Sequence, residues 1–96
     1  MKHTKININE VINSSVITDE NLVIFINEIQ KLRPTNYFED EITLDFNGIE
    51  SITCNLFLQL LETIFTYFDK SHVHTMNMTP SVNKIFAQLF KIGLIR

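Results

Sequence analysis

Ile42-Thr43-Leu44-Asp45-Phe46-Asn47-Gly48-Ile49-Glu50-Ser51-Ile52-Thr53-Cys54-Asn55 decides the fold of this chain. It reads as a short apolar strand over 42–46, a turn around one of only two glycines, and the start of a long apolar helix. The turn places small polar side chains at a helix N-terminus. A ligand, a phosphate or a partner can be held there.

Outward from that stretch, helix and strand signals alternate. The helix predicted over 53–69 carries Phe57, Leu60, Leu61, Ile64, Phe65 and Phe68 at helical spacing. Leu56, Phe57 and Leu58 are consecutive and cannot all face one core, which predicts an apolar helix face available to a homodimer. Val73 to Met78 reads as a strand. Thr79-Pro80 then starts a helix, with a capping hydroxyl followed by proline at the first helical position. Val82, Ile85, Phe86, Leu89 and Phe90 give it a buried stripe, and Gly93 is its αL stop.

On the N-terminal side, Lys5-Ile6-Asn7-Ile8-Asn9 alternates polar and apolar, the mark of a half-buried strand. Asn13-Ser14 is a turn, and Ser15-Val16-Ile17 a second short strand completing a hairpin. Thr18-Asp19-Glu20 opens a helix by capping and by acids at the positive dipole end, and Leu22, Phe25, Ile26, Ile29 and Leu32 form its stripe up to Pro34. Thr35 to Glu41 is a polar loop in which Tyr37-Phe38 folds back on the core, and Glu39-Asp40-Glu41 is a solvated acidic run. The expected architecture is one α/β domain over 1–96: a single-layer mixed sheet of about four strands with three helices and right-handed crossovers.

The bulk numbers narrow the function. Ninety-six residues, 45% apolar, suit one globular domain. The net charge of −3 and the lack of a Lys/Arg cluster argue against nucleic acid as a partner. No apolar run approaches the ~18 residues needed to span a bilayer, and Met1 to Lys5 is not followed by a signal-peptide core. One cysteine, Cys54, cannot form an internal disulfide. Together these lead us to expect a cytoplasmic protein that contacts neither membrane nor nucleic acid.

From residue 42 onward the chain resembles the STAS family, the sulfate-transporter and anti-sigma-factor-antagonist domains. Leu44-Asp45-Phe46-Asn47-Gly48-Ile49 is similar to the family's strand and turn. Ser51-Ile52-Thr53-Cys54-Asn55 falls at its helix-start loop, and Thr79-Pro80-Ser81-Val82-Asn83-Lys84-Ile85-Phe86 with Ile92-Gly93-Leu94 is similar to its last helix and glycine ending. The Asp45-Phe46-Asn47-Gly48 form resembles an uncharacterised bacterial STAS-like branch. The resemblance implies a non-enzymatic regulatory domain that binds a protein partner, an ATPase-type anti-sigma kinase, at Gly48, Ser51, Thr53, Cys54, Asn55 and Leu56. In the family the kinase phosphorylates a Ser or Thr in this loop and abolishes the contact. Asn55 stands at that acceptor position and cannot be phosphorylated, and Leu56 replaces a glycine. Thr53 and Ser51 are the neighbouring hydroxyls available for modification.

The chain's other polar residues do not suggest an enzyme or a cofactor. Cys54 has no base that spacing pairs with it. His72 and His74 share one face of the predicted strand, but a metal needs a third ligand, so no metal is expected. Asp45 is expected to bind loop amides near Gly48 or to face the strand end, and Glu50 is the only other acid close in sequence on the loop side. A small-ligand sensor, seating a nucleotide or anion at the Thr53–Asn55 helix start, is the alternative function.

Overall fold

The computed structural model describes residues 3–32 and 39–91, with only the backbone described for Phe90. Element order is β1 (His3–Asn7), α1 (Ile8–Ile12), α2 (Asp19–Lys31), β2 (Glu41–Asp45), α3 (Cys54–Tyr67), a 3-10 turn (Lys70–His72), β3 (Val73–Met76) and α4 (Pro80–Lys91). The domain is α/β. Its sheet has three strands in the order β1-β2-β3, and both pairings are parallel. The expected mixed sheet of about four strands with three helices is therefore corrected to three parallel strands and four α-helices among the described residues.

Two misread segments account for the difference. The alternation of Lys5 to Asn9 continues past the strand only by coincidence. Asn7 accepts the Glu10 amide at 2.8 Å and caps α1, whose Ile8 and Ile12 are both buried one turn apart. Ser15-Val16-Ile17 forms no hairpin, because a helix separates it from β1. Among the described residues its ladder contact is a single parallel bridge from Val16 to Ser51.

The other helix starts follow capping chemistry. The hydroxyl oxygens of Thr18, Thr53 and Thr79 accept the amides of Asn21, Leu56 and Val82 at 3.3, 3.2 and 3.2 Å. Arg33 to Phe38, and with them Pro34 and Tyr37-Phe38, lie outside the described residues, as does Gly93.

Register sorts the sheet into two unlike faces. Ile6, Ile42, Leu44 and, just beyond β2, Phe46 are buried on one side. The helices cover that side, with α1 against α2, α2 against α3 and α3 against α4. α2 connects β1 to β2 and α3 connects β2 to β3, and the two helices pack against each other. Phe57 on α3 ties the layers together. Its ring centroid is 5.5 Å from Phe46 below and 5.5 Å from Phe86 on α4. The opposite face carries His3, Lys5, Asn7, Glu41, Thr43, Asp45, His74 and Met76. Parallel sheets are usually covered on both sides; here the second face is polar instead.

Candidate functional site

The loop after β2 is a rigid platform. Its apolar side chains, Ile49 and Ile52, are buried as anchors, while Asn47, Gly48, Glu50, Ser51, Thr53, Cys54 and Asn55 are exposed. Backbone bonds hold it to the segment before α2. Ser15 carbonyl accepts the Glu50 amide at 2.7 Å, and Ser51 carbonyl accepts the Ile17 amide at 3.1 Å. Gly48 sits at φ +89° because the turn needs it, and Asn9 fills the space beside its Cα.

Asp45 closes the base of the loop. Its Oδ1 accepts the Asn47 amide and the Asn77 side-chain amide, both at 2.9 Å, and Lys5 Nζ stands 3.9 Å from Oδ2. These bonds to the ionised form, the Asn47 amide first, hold its carboxyl below the ordinary aspartate range despite desolvation. Asn77 adopts the left-handed conformation, φ 59°, to reach it. Asp45 thus bonds the loop amide beside Gly48, as its position in the sequence predicts. Fully engaged in this way, it acts as a clamp joining the ends of β2 and β3.

Of the predicted contact residues, Gly48, Ser51, Thr53, Cys54 and Asn55 lie together on the exposed loop and first turn of α3. Leu56 does not. It is 6% exposed and packs into the core, so it presents no surface to a partner. The Thr53 oxygen is engaged in capping, while the Ser51 side chain is exposed. The apolar face expected around Leu56 and Leu58 is likewise absent from α3, since Leu56 and Phe57 are buried and Leu58 is half-buried. Large exposed hydrophobic side chains occur instead at Val16, Val23 and Ile24.

The histidines are placed differently from expectation. His72 belongs to the 3-10 turn, not to the strand, so it does not share a strand face with His74. His74 Nε2 meets Glu41 Oε1 at 3.2 Å, and the His3 ring, bonded to Thr43 Oγ1 at 2.9 Å, lies 6.3 Å from the His74 ring. The His74 bond outweighs desolvation and lowers the Glu41 carboxyl below its ordinary value. Glu41 is thus a strand residue and Asp40 is 5% exposed, which corrects the solvated acidic run to Glu39 alone. Among the described residues no three His, Cys, Asp or Glu side chains are arranged to hold a metal ion. None of the described helices is long and apolar enough to cross a membrane.

One signal was missed in reading the sequence. All eleven acidic residues fall between Glu10 and Asp69, and Lys31 and Arg33 are the only cations in that span. From Lys70 to Arg96 there is no acid at all. The platform and the two helices beside it therefore belong to the anionic part of the chain. Comparison with protein-family models, with curated proteins and with solved structures finds no match.

Proposed function

We infer that this is a non-enzymatic STAS-like interaction domain of bacterial, cytoplasmic regulation, and that the Gly48–Asn55 platform contacts its protein partner. The observation that supports the reading is the division of labour in that loop. Ile49 and Ile52 and the backbone bonds to Ser15 and Ile17 hold it rigid, while its polar side chains face outward. A rigid exposed loop presents a defined surface without the entropic cost of ordering it on binding. The partner that the family resemblance suggests is an ATPase-type anti-sigma kinase. Asn55 cannot take a phosphate, so regulation falls to Ser51 or Thr53, or binding is constitutive.

Affinity purification of the tagged protein from its native cell, with mass spectrometry of its partners and of residues 51–55, tests this. An ATPase-type kinase among the partners, with or without phosphate on Ser51 or Thr53, supports the reading. A protein that emerges alone and unmodified, and whose melting temperature rises with millimolar nucleotide, is instead a ligand sensor at the Thr53–Asn55 helix start.

A further inference from the structure

The contact surface extends beyond the loop. Val16, bridged to Ser51, is 43% exposed, and Val23 and Ile24 on the outer face of α2 are 58% and 45% exposed. Asn21 Nδ2 donates to the Val16 carbonyl at 2.9 Å and fixes that segment to α2. Exposed acids lie on the same elements: Asp19 and Glu20 in the first turn of α2, and Glu50, whose amide bonds the Ser15 carbonyl next to Val16. Lys31, at the far end of α2, is paired with Glu28 at 3.1 Å.

We propose that the acidic-apolar surface formed by Val16, Asp19, Glu20, Val23 and Ile24 docks a cationic amphipathic segment of a protein partner. This rests on the platform reading above and gives the partner its chemistry. Lys or Arg beside apolar side chains answers both properties of the patch, burying Val23 and Ile24 while neutralising Asp19 and Glu20. The same charges repel nucleic acid and anionic lipid. A second copy of this chain fits less well. Its basic helix, α4, exposes Lys84 and Lys91, but among its described apolar side chains Val82 and Leu89 are buried and Ile85 and Phe86 are half-buried, leaving less apolar surface for Ile24 than an open amphipathic segment presents.

The test is a two-dimensional amide NMR titration of the full chain with a synthetic Lys/Leu amphipathic helical peptide. Counterparts with Gln or Glu in place of Lys serve as controls. Shifts confined to Val16, Asp19, Glu20, Val23, Ile24 and Ser51–Asn55 are expected. Binding should weaken by about tenfold between low and high salt. It should also weaken in Glu20→Lys and in the Val23→Ser/Ile24→Ser pair, both checked for folding by circular dichroism. Shifts at Ser51–Asn55 without any at Val23 and Ile24 overturn this inference and leave the platform reading standing. Equal binding of the Gln peptide, or shifts scattered over the whole surface, also overturns it. So does self-association that Val23→Ser/Ile24→Ser abolishes, which would assign the patch to a second copy.

Discussion

Asn9 and Gly48 lock the platform to the first helix. The Asn9 side-chain amide donates to the Gly48 carbonyl at 3.3 Å and to the Ser14 carbonyl at 2.9 Å. A Cβ at position 48 would stand 2.9 Å from Asn9 Cγ, too close for any side chain. The turn, α1 and the segment leading to α2 thus share one side chain. Gly48→Ala combines that clash with a positive φ, and should destabilise the protein by about 2 kcal/mol in urea unfolding. A loss below about 0.5 kcal/mol, within the usual range for surface substitutions, would mean that Asn9 moves aside freely.

Asp45 gives the fold a specific acid sensitivity. Its carboxyl titrates below the ordinary value in the folded state, so its contribution is present at neutral pH and is lost as the pH falls below about 4. Asp45→Asn should cost about 1–2 kcal/mol at pH 7, from weakened bonds to Asn47 and Asn77. The stability gap between the two proteins should narrow on acidification toward pH 3. A gap that stays constant with pH would show that charge is not what the clamp uses.

Glu41 and His74 make a second titration prediction on the same polar sheet face, at the opposite end of β2 from Asp45. Removing the imidazole with His74→Ala takes away the main cause of the lowered Glu41 carboxyl, so its titration should move up toward the ordinary glutamate value. Carboxyl-carbon NMR against pH reads this directly. An unmoved titration curve would assign the lowering to His3 and His72 instead.

Phe57 stands between Phe46 and Phe86 and joins sheet, α3 and α4. Phe57→Ala should cost about 3–5 kcal/mol by cavity formation. Phe57→Leu should recover more than half of it, measured by chemical unfolding of both variants. Similar losses in the two would point to ring–ring geometry over volume.

Thr53→Ala removes the acceptor for the Leu56 amide and should cost about 1 kcal/mol. If Thr53 serves only as the cap, partner capture should survive in Thr53→Ser, which keeps the hydroxyl, and in Thr53→Asn, which caps without one. Loss of capture in Thr53→Asn alone would give the hydroxyl a role in contact or modification.

The capped helix starts at Thr18 and Thr79, the central strand and the stripes of α2, α3 and α4 were legible in the sequence, because each is set by neighbours within a turn or two. What was not legible depended on competition between local patterns. Ile6 and Ile8 satisfy strand alternation, yet Ile8 and Ile12 also satisfy helical spacing, and Asn7 with Glu10 three residues later is a capping pattern that decides the matter. The strand direction of β1 followed from that short helix, since a hairpin would have reversed it. In the loop after β2, the grouping of Gly48, Ser51, Thr53, Cys54 and Asn55 as exposed neighbours was legible, but the inward turn of Leu56 was not. Its place one residue from Phe57 is compatible with either face until the core cluster closes over it.

A sheet made only of parallel strands has a consequence for how the chain reaches this structure. Among the described residues no hairpin exists to form early. β1 finds its register, His3 against Glu41, only after α1 and α2 have been laid down between them. During synthesis the first strand emerges long before its partner does, and β3 must wait for the whole of α3. Folding should accordingly be governed by the slow closure of two large loops, with the helices forming ahead of the sheet.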